Sequence, residues 1–193
     1  FDRIGWTLEN FALSHEDPEI QACLRVGRVL ARQPRRGREW ALQAAALVDR
    51  LARGLADFAE WFRDLVQPKA EFLGQAFGAD SQAIGIFSEE VVRGTLASVL
   101  SRLLHPIQLE LREAADLGDW QVVSPGRGAG RLEVVEALES VQGRRFDRPV
   151  VVLADRLSGY EEIPEGVSAI LTPQGIDALS HLAIRARNGR LLF

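Results

Sequence analysis

Two adjoining stretches decide the fold of the C-terminal part of this chain. The first is Glu162-Ile163-Pro164-Glu165-Gly166-Val167-Ser168-Ala169-Ile170-Leu171-Thr172-Pro173. The second is Asp177-Ala178-Leu179-Ser180-His181-Leu182-Ala183-Ile184-Arg185-Ala186-Arg187-Asn188-Gly189. The first reads as turn, strand and loop. The second reads as a short helix, with Asp177 as N-cap and Ser180 as a second candidate for that position. Leu179, Leu182, Ala183 and Ala186 fall at the spacing of a buried stripe, and Asn188-Gly189 supplies the stop. A strand feeding a loop that ends at a helix N-terminus presents outward backbone N–H groups, a favourable place for an anion. His181, at the mouth of that helix, can accept a phosphoryl group there. Arg185 lies four residues on and shares its face, which the spacing sets away from the buried stripe. A guanidinium grips phosphate oxygens in a planar fork that an ammonium cannot form. Arg187, two residues further, points elsewhere. Taken alone, His-x-x-x-Arg reads as a surface histidine beside a solvated arginine, so the surrounding sequence has to carry the assignment.

Upstream, the periodicity changes near Gly118. After it, Gln121-Val122-Val123, Leu132-Glu133-Val134-Val135, Pro149-Val150-Val151-Val152-Leu153-Ala154, Ser168-Ala169-Ile170-Leu171 and Leu191-Leu192-Phe193 are short β-branched or leucine runs separated by Gly, Pro and Asp, the pattern of strands. Val150 to Leu153 is continuously apolar, which predicts a central strand buried on both faces. The segment reads as a compact α/β unit. Pro125-Gly126-Arg127-Gly128-Ala129-Gly130 looks like a phosphate loop. It lacks the lysine and the Ser/Thr of one, and a strand follows it rather than a helix. It reads instead as a tight turn between strands. Glu161-Glu162 reads as a solvated loop, with one alternative: a carboxylate that orients the His181 ring through its other nitrogen.

Before Gly118 the chain reads as helix. Pro18 to Arg32 carries Ile20, Cys23, Leu24, Val29 and Leu30 broadly at helical spacing, and Arg38 to Val66 carries a longer apolar stripe. The outer face of the longer one holds Arg50, Arg53, Asp57, Glu60, Arg63 and Asp64. That face reads as solvated with local ion pairs, or as a docking surface. Pro68 is expected to end this helix and open another that runs to Gly78-Ala79-Asp80. Ser88-Glu89-Glu90 is expected to begin a last helix, interrupted at Pro106 and resuming to Leu117-Gly118, with His105 at a helix end.

The chain has 193 residues, a net charge of −4 and one cysteine. That length can bury a real core. The charge gives no support for a nucleic-acid surface. Cys23 alone excludes an internal disulfide, fits a reducing compartment and reads as a buried structural thiol. No run is long and apolar enough for a membrane span, and no signal peptide is visible. No histidine cluster points to a metal. The chain opens at Phe1 without methionine and closes at Phe193 inside an apolar run, which reads as a piece of a longer polypeptide.

Ser180-His181-Leu182-Ala183-Ile184-Arg185-Ala186-Arg187 resembles the phosphohistidine signature of the phosphoenolpyruvate-utilising enzymes, pyruvate phosphate dikinase among them. Those enzymes carry a threonine where this chain has Leu179, and glycines where it has Asp177-Ala178. Leu-Ser-His followed by Arg-Ala-Arg-Asn-Gly is instead similar to the version in α-glucan, water dikinases. Trp120-Gln121-Val122-Val123-Ser124-Pro125, Glu161-Glu162-Ile163-Pro164 and Leu171-Thr172-Pro173 resemble that family too. In the helical part, Leu8-Glu9-Asn10, Leu13-Ser14, Gln67-Pro68, Glu71-Phe72-Leu73-Gly74 and Ile86-Phe87-Ser88-Glu89-Glu90 do likewise. His15 and Pro34-Arg35-Arg36-Gly37 do not match it, and no chemistry attaches to either.

The resemblance implies an α+β or α/β chain: a helical segment over residues 1–117, then a swivelling phosphohistidine domain over 118–193, with Leu117-Gly118-Asp119 as one hinge. It implies that His181 takes the β-phosphate of ATP and passes it to a glucan hydroxyl, while the γ-phosphate goes to water. Arg185 and the helix N-terminal amides would stabilise the group in flight. Ser180 and Thr172 would be hydrogen-bond donors, and Arg187 a further phosphate-stabilising candidate. ATP and Mg²⁺ would belong to the full enzyme and not to this segment. A nucleotide-binding domain would follow the chain, and glucan-binding modules would precede it. The location would be the cytoplasm in a bacterium or the plastid in a plant or alga. The alternatives are a pyruvate-linked dikinase, against which Leu179 speaks, and a non-catalytic helical interaction module, against which Ser180, His181, Arg185 and Arg187 speak.

Overall fold

The computed structural model describes residues 2–34, 37–118 and 120–193. Arg35-Arg36 of the non-matching insertion and Asp119 of the expected hinge lie outside the described residues. The chain divides into two compact units, Phe1–Gly118 and Asp119–Phe193. No helix among the described residues is long and apolar enough to cross a membrane.

The first unit is helical: α1 (Asp2–Ser14), α2 (Pro18–Arg32), α3 (Arg38–Phe77), α4 (Ser81–Arg93) and α5 (Leu96–Ala114). Helix α2 starts where expected, because the Asp17 carboxylate accepts from the amides of Glu19 and Ile20 at 2.8 and 2.9 Å. Ile20, Cys23, Leu24 and Leu30 are buried, while Val29 turns outward. Burial pushes the Cys23 thiol up from its ordinary value, as expected of a structural cysteine. Arg50 is not simply solvated. Its guanidinium clasps the Glu19 carboxylate of α2, one arm at 2.7 Å, and holds that carboxyl below the usual range. His15 packs edge-on to Phe58 and beside Phe11 and Trp61, with ring centroids 4.9, 5.7 and 5.2 Å away.

Three boundaries differ from expectation. Pro68 does not end α3, which runs unbroken to Phe77 and stops at Gly78 with φ +66°. A proline deletes one N–H and crowds the preceding turn, but here α4 packs along the stretch that follows. Gln67 donates to Ile84 O at 2.9 Å, and Gly74 admits the Ile84 side chain so closely that a Cβ would lie 2.5 Å from it. Lys69 Nζ also donates to Leu65 O at 3.0 Å, in the turn that precedes the proline. The second difference is the start of the last helix. The break falls at Gly94-Thr95, so Ser88 and Glu89 are buried in mid-α4. Third, Pro106 does not interrupt α5. Leu100, Leu104, Gln108 and Leu111 are buried on both sides of it, and the Gln108 amide donates to Asp49 of α3 at 2.7 Å. Packing spans the proline, and His105 sits in mid-helix.

The second unit is α/β. β1 (Arg131–Ala137), β2 (Arg145–Arg156) and β3 (Glu165–Leu171) form a parallel sheet in that order, with Arg131 opposite Val150 and Val152 opposite Ile170. A 3-10 turn over Leu138–Val141 begins the return from β1 to β2, and α6 (His181–Asn188) follows β3. β2 is central as expected. It is not buried on both faces: Val150, Val152 and Ala154 are buried, while Val151 and Leu153 are half-buried. Only one face is fully covered, by Leu182 and Ala186 of α6 together with Leu138, Val141, Leu191 and Phe193. Burying a side chain such as Ile170 or Leu182 contributes about 1.5–3 kcal/mol.

Gln121-Val122-Val123 and Leu191-Leu192-Phe193 form no regular strands. They are extended ends that tie to each other. Val123 and Ser124 amides donate to Phe193 O at 2.7 and 2.8 Å, Phe193 N donates to Ser124 O at 3.0 Å, and Leu192 bridges Ala169. Pro125 to Gly130 is not a tight turn but a strap laid against three pieces of backbone. A Cβ at Gly126 would lie 2.9 Å from Leu192 N, one at Gly128 2.4 Å from Ser168 O, and one at Gly130 2.2 Å from Pro149 O. The glycines are there for close backbone approach.

Candidate functional site

β3 delivers the chain to Thr172, whose hydroxyl oxygen accepts from Gln174 N at 3.1 Å. Gln174 in turn accepts from Leu157 N at 2.8 Å, joining this turn to the loop after β2. Asp177 is not the N-cap. Its carboxylate accepts from Leu179 N at 2.9 Å and its carbonyl from Ser180 N at 3.0 Å, which shapes the turn before the helix. Ser180, the second candidate, is the cap: its hydroxyl oxygen accepts from Ala183 N at 3.2 Å. His181 is therefore the first helical residue.

The expectation that His181 lies on an exposed face is corrected. Its side chain is buried, only 6% of the residue being exposed, and Arg185 is half-buried. The covering element is the loop between β2 and β3, folded over the start of α6. Gly159, at φ +83°, comes so close to the cap that a Cβ there would lie 3.4 Å from that of Ser180. Its carbonyl accepts from Leu182 N at 3.1 Å. Tyr160 sets its ring beside His181, centroids 5.6 Å apart and planes tilted by 51°.

Glu161 explains how the loop holds this shape. The solvated-loop reading is wrong for it and right for its neighbour: Glu161 is 2% exposed, and Glu162 lies in solvent. The Glu161 carboxylate accepts from the amides of Ser158 and Gly159 at 2.5 and 2.8 Å. Arg185 completes the clamp by donating from Nη1 to Glu161 O at 3.1 Å and to Tyr160 O at 3.5 Å. Arg187 faces the other way. Its guanidinium donates to Ala178 O in the turn before the helix and to Val123 O at 3.5 Å.

The structure therefore brings Ser180, His181 and Arg185 together, leaves Thr172 in the preceding turn and turns Arg187 to the back. The N-terminal amides are not all open to a ligand as expected. Leu182 N is taken by Gly159 O and Ala183 N by Ser180 Oγ. Sequence reasoning missed Tyr160 and the burial of Glu161. The glycine before them marks a turn, but no periodicity tells which of two adjacent glutamates turns inward. Among the described residues no group of three or more His, Cys, Asp or Glu converges as a metal site.

Comparison with known proteins bears on the same residues. Residues 119–193 match the family model of the α-glucan water dikinase phosphohistidine-like domain. The chain is 42% identical over 192 residues to α-glucan water dikinase 1, chloroplastic, of Arabidopsis thaliana, across 98% of this chain and 14% of that protein. It is 42% identical to the chloroplastic α-glucan water dikinase of Solanum tuberosum, across 98% of this chain and 13% of that one. To α-glucan water dikinase 2 of Arabidopsis thaliana it is 43% identical over 155 residues. The chain thus spans 12–14% of the length of these curated relatives. No solved structure matches it. A match to the phosphohistidine-like model over the α/β unit, and relatives of one kind along nearly the whole chain, show that this chain belongs to the α-glucan water dikinase family.

Proposed function

We propose that this chain is the phosphoryl-carrying segment of a dikinase that moves the β-phosphate of ATP, by way of His181, to a hydroxyl of an α-glucan. The γ-phosphate goes to water. The observation that carries the reading is His181 at the first position of α6, capped by Ser180, inside the residues that match a phosphohistidine-like domain. The names of the relatives favour a glucan over a pyruvate-type acceptor. Two of them are named chloroplastic, which favours a plastid location.

In this reading a neutral imidazole nitrogen of His181 attacks phosphorus. The resulting phosphoramidate is a reactive donor to the glucan hydroxyl. The transferring group carries dispersed negative charge, so position and nearby cations matter most. Arg185 contributes charge one helical turn from the ring and holds the loop beside it. Ser180 spends its oxygen lone pair on the cap but retains a hydroxyl proton to donate, and the Thr172 hydroxyl is placed likewise. Arg187 acts through the turn before the helix rather than on the phosphate directly.

A nucleotide-binding domain C-terminal to this chain would supply ATP and Mg²⁺, and modules N-terminal to it would hold the glucan. The histidine must then visit two sites. We assign residues 1–117 to a helical segment and 118–193 to the swivelling carrier, with Leu117-Gly118-Asp119 as hinge. The test uses the full-length enzyme and ATP labelled separately at each phosphate. The β-label is expected on His181, acid-labile and base-stable, and the γ-label is not. Full β-labelling of a His181→Ala enzyme would refute the assignment.

A further inference from the structure

We propose that Tyr160 is a positioning residue of the His181 site: its ring walls the imidazole off from solvent, so that the phosphorylated histidine is slow to react with water. The inference rests on the carrier reading. A histidine that carries a phosphoryl group between two places must survive the interval. Loss to water is a balanced step. A water oxygen attacks phosphorus, the P–N bond breaks, its electron pair returns to the ring nitrogen, a proton neutralises that nitrogen, and inorganic phosphate leaves. Excluding water from around the group is the direct way to slow it.

The geometry supplies such a wall. Helix position alone sets His181 and Arg185 on one outward face, yet His181 is only 6% exposed. The difference is made by the loop carrying Tyr160, whose ring centroid lies 5.6 Å from that of His181. Tyr160 itself is 62% exposed and is not among the residues clustered around the sheet and α6, so its ring is not there to hold the sheet together. The backbone beneath it is pinned independently of the ring. Glu161 gathers the amides of Ser158 and Gly159, Gly159 O takes Leu182 N, and Arg185 takes the carbonyls of residues 160 and 161. With the main chain fixed this way, rotation of one tyrosine side chain sets access to the histidine.

The test compares the parent chain with Tyr160→Ala and Tyr160→Phe. Each is phosphorylated chemically with potassium phosphoramidate, and decay is followed site by site by mass spectrometry. The chain has three histidines, so His15 and His105 serve as internal controls. In Tyr160→Ala, phosphate on His181 is expected to be lost at least about fivefold faster, the scale of ~1 kcal/mol of barrier. Decay at the two controls stays unchanged, and Tyr160→Phe behaves as the parent. Unchanged decay at His181, equal acceleration at all three histidines, or a Phe variant as fast as Ala would each overturn the proposal. Carbethoxylation with diethyl pyrocarbonate needs no phosphorylation and reads the same wall. Its rate at His181 should rise in Tyr160→Ala, and no rise overturns the proposal. These rates are independent of whether the full enzyme labels His181 from ATP, so failure of the wall and failure of the carrier reading remain distinguishable.

Discussion

Replacing Glu161 by alanine tests whether a single buried carboxylate shapes the histidine site. In the parent that carboxylate, 2% exposed, accepts from two loop amides at 2.5 and 2.8 Å. Hydrogen bonds to an ionised acceptor contribute ~1.5–3 kcal/mol each, and of these two the Gly159 bond is buried and the Ser158 bond part-buried. Against this, alanine removes the cost of keeping a charge out of water, which takes back a few kcal/mol. The balance is a loss of about 3 kcal/mol, carried by the unit Asp119–Phe193 alone. For a unit of that size, with a urea dependence of about 1 kcal/mol per molar, the midpoint falls by about 3 M.

Of the four tryptophans only Trp120 lies in this unit, so its fluorescence in a chain whose other three are changed to Phe reports the transition. Hydrogen exchange at residues 158, 159 and 182 gives a local readout. Glu161→Gln keeps one acceptor oxygen but turns an NH₂ toward an N–H, and should lose about half as much. A midpoint within about 0.5 M of the parent for Glu161→Ala, with unchanged exchange at those amides, would refute the clamp.

Arg185→Lys keeps the charge and loses the planar donor set. Labelling of His181 by β-labelled ATP in the full enzyme should slow about tenfold, or ~1.4 kcal/mol of barrier; rapid-quench kinetics equal to the parent would make Arg185 a bystander. Gly130→Ala puts a methyl 2.2 Å from Pro149 O. It should destabilise the α/β unit by about 3 kcal/mol or more, seen as a lowered melting temperature with the helical unit unaffected. Pro68→Ala restores a missing donor on the solvent side of α3 and should stabilise the helical unit by about 1–3 kcal/mol. A lower midpoint by circular dichroism would mean that the proline itself is needed there.

The amino-acid sequence by itself determined the parts that depend on neighbours a few residues apart. The order of helices then strands, the buried stripe of α6, the centrality of Val150 to Leu153, and the buried thiol of Cys23 all follow from local periodicity, whereas local pattern named both Asp177 and Ser180 for the cap of α6 and the structure chose Ser180. The histidine motif was legible for the same reason: Ser180, His181 and Arg185 lie within about one helical turn and a cap.

What only the tertiary structure decided are contacts between stretches far apart in the chain. Pro68 and Pro106 do not stop their helices, because α4 packs along α3 past the first, and α5 is buried against its neighbours on both sides of the second. The glycines from 126 to 130 serve close approach to residues 149–150, 168–169 and 190–192 rather than a turn. Above all, the burial of His181 comes from a loop some twenty residues upstream. Glu161 and Arg185 draw that loop down over the helix start. Capping and periodicity act along one segment, whereas burial depends on which segments meet in space, and two adjacent glutamates with the same local pattern were separated only when the loop folded around one of them beside Arg185 of α6.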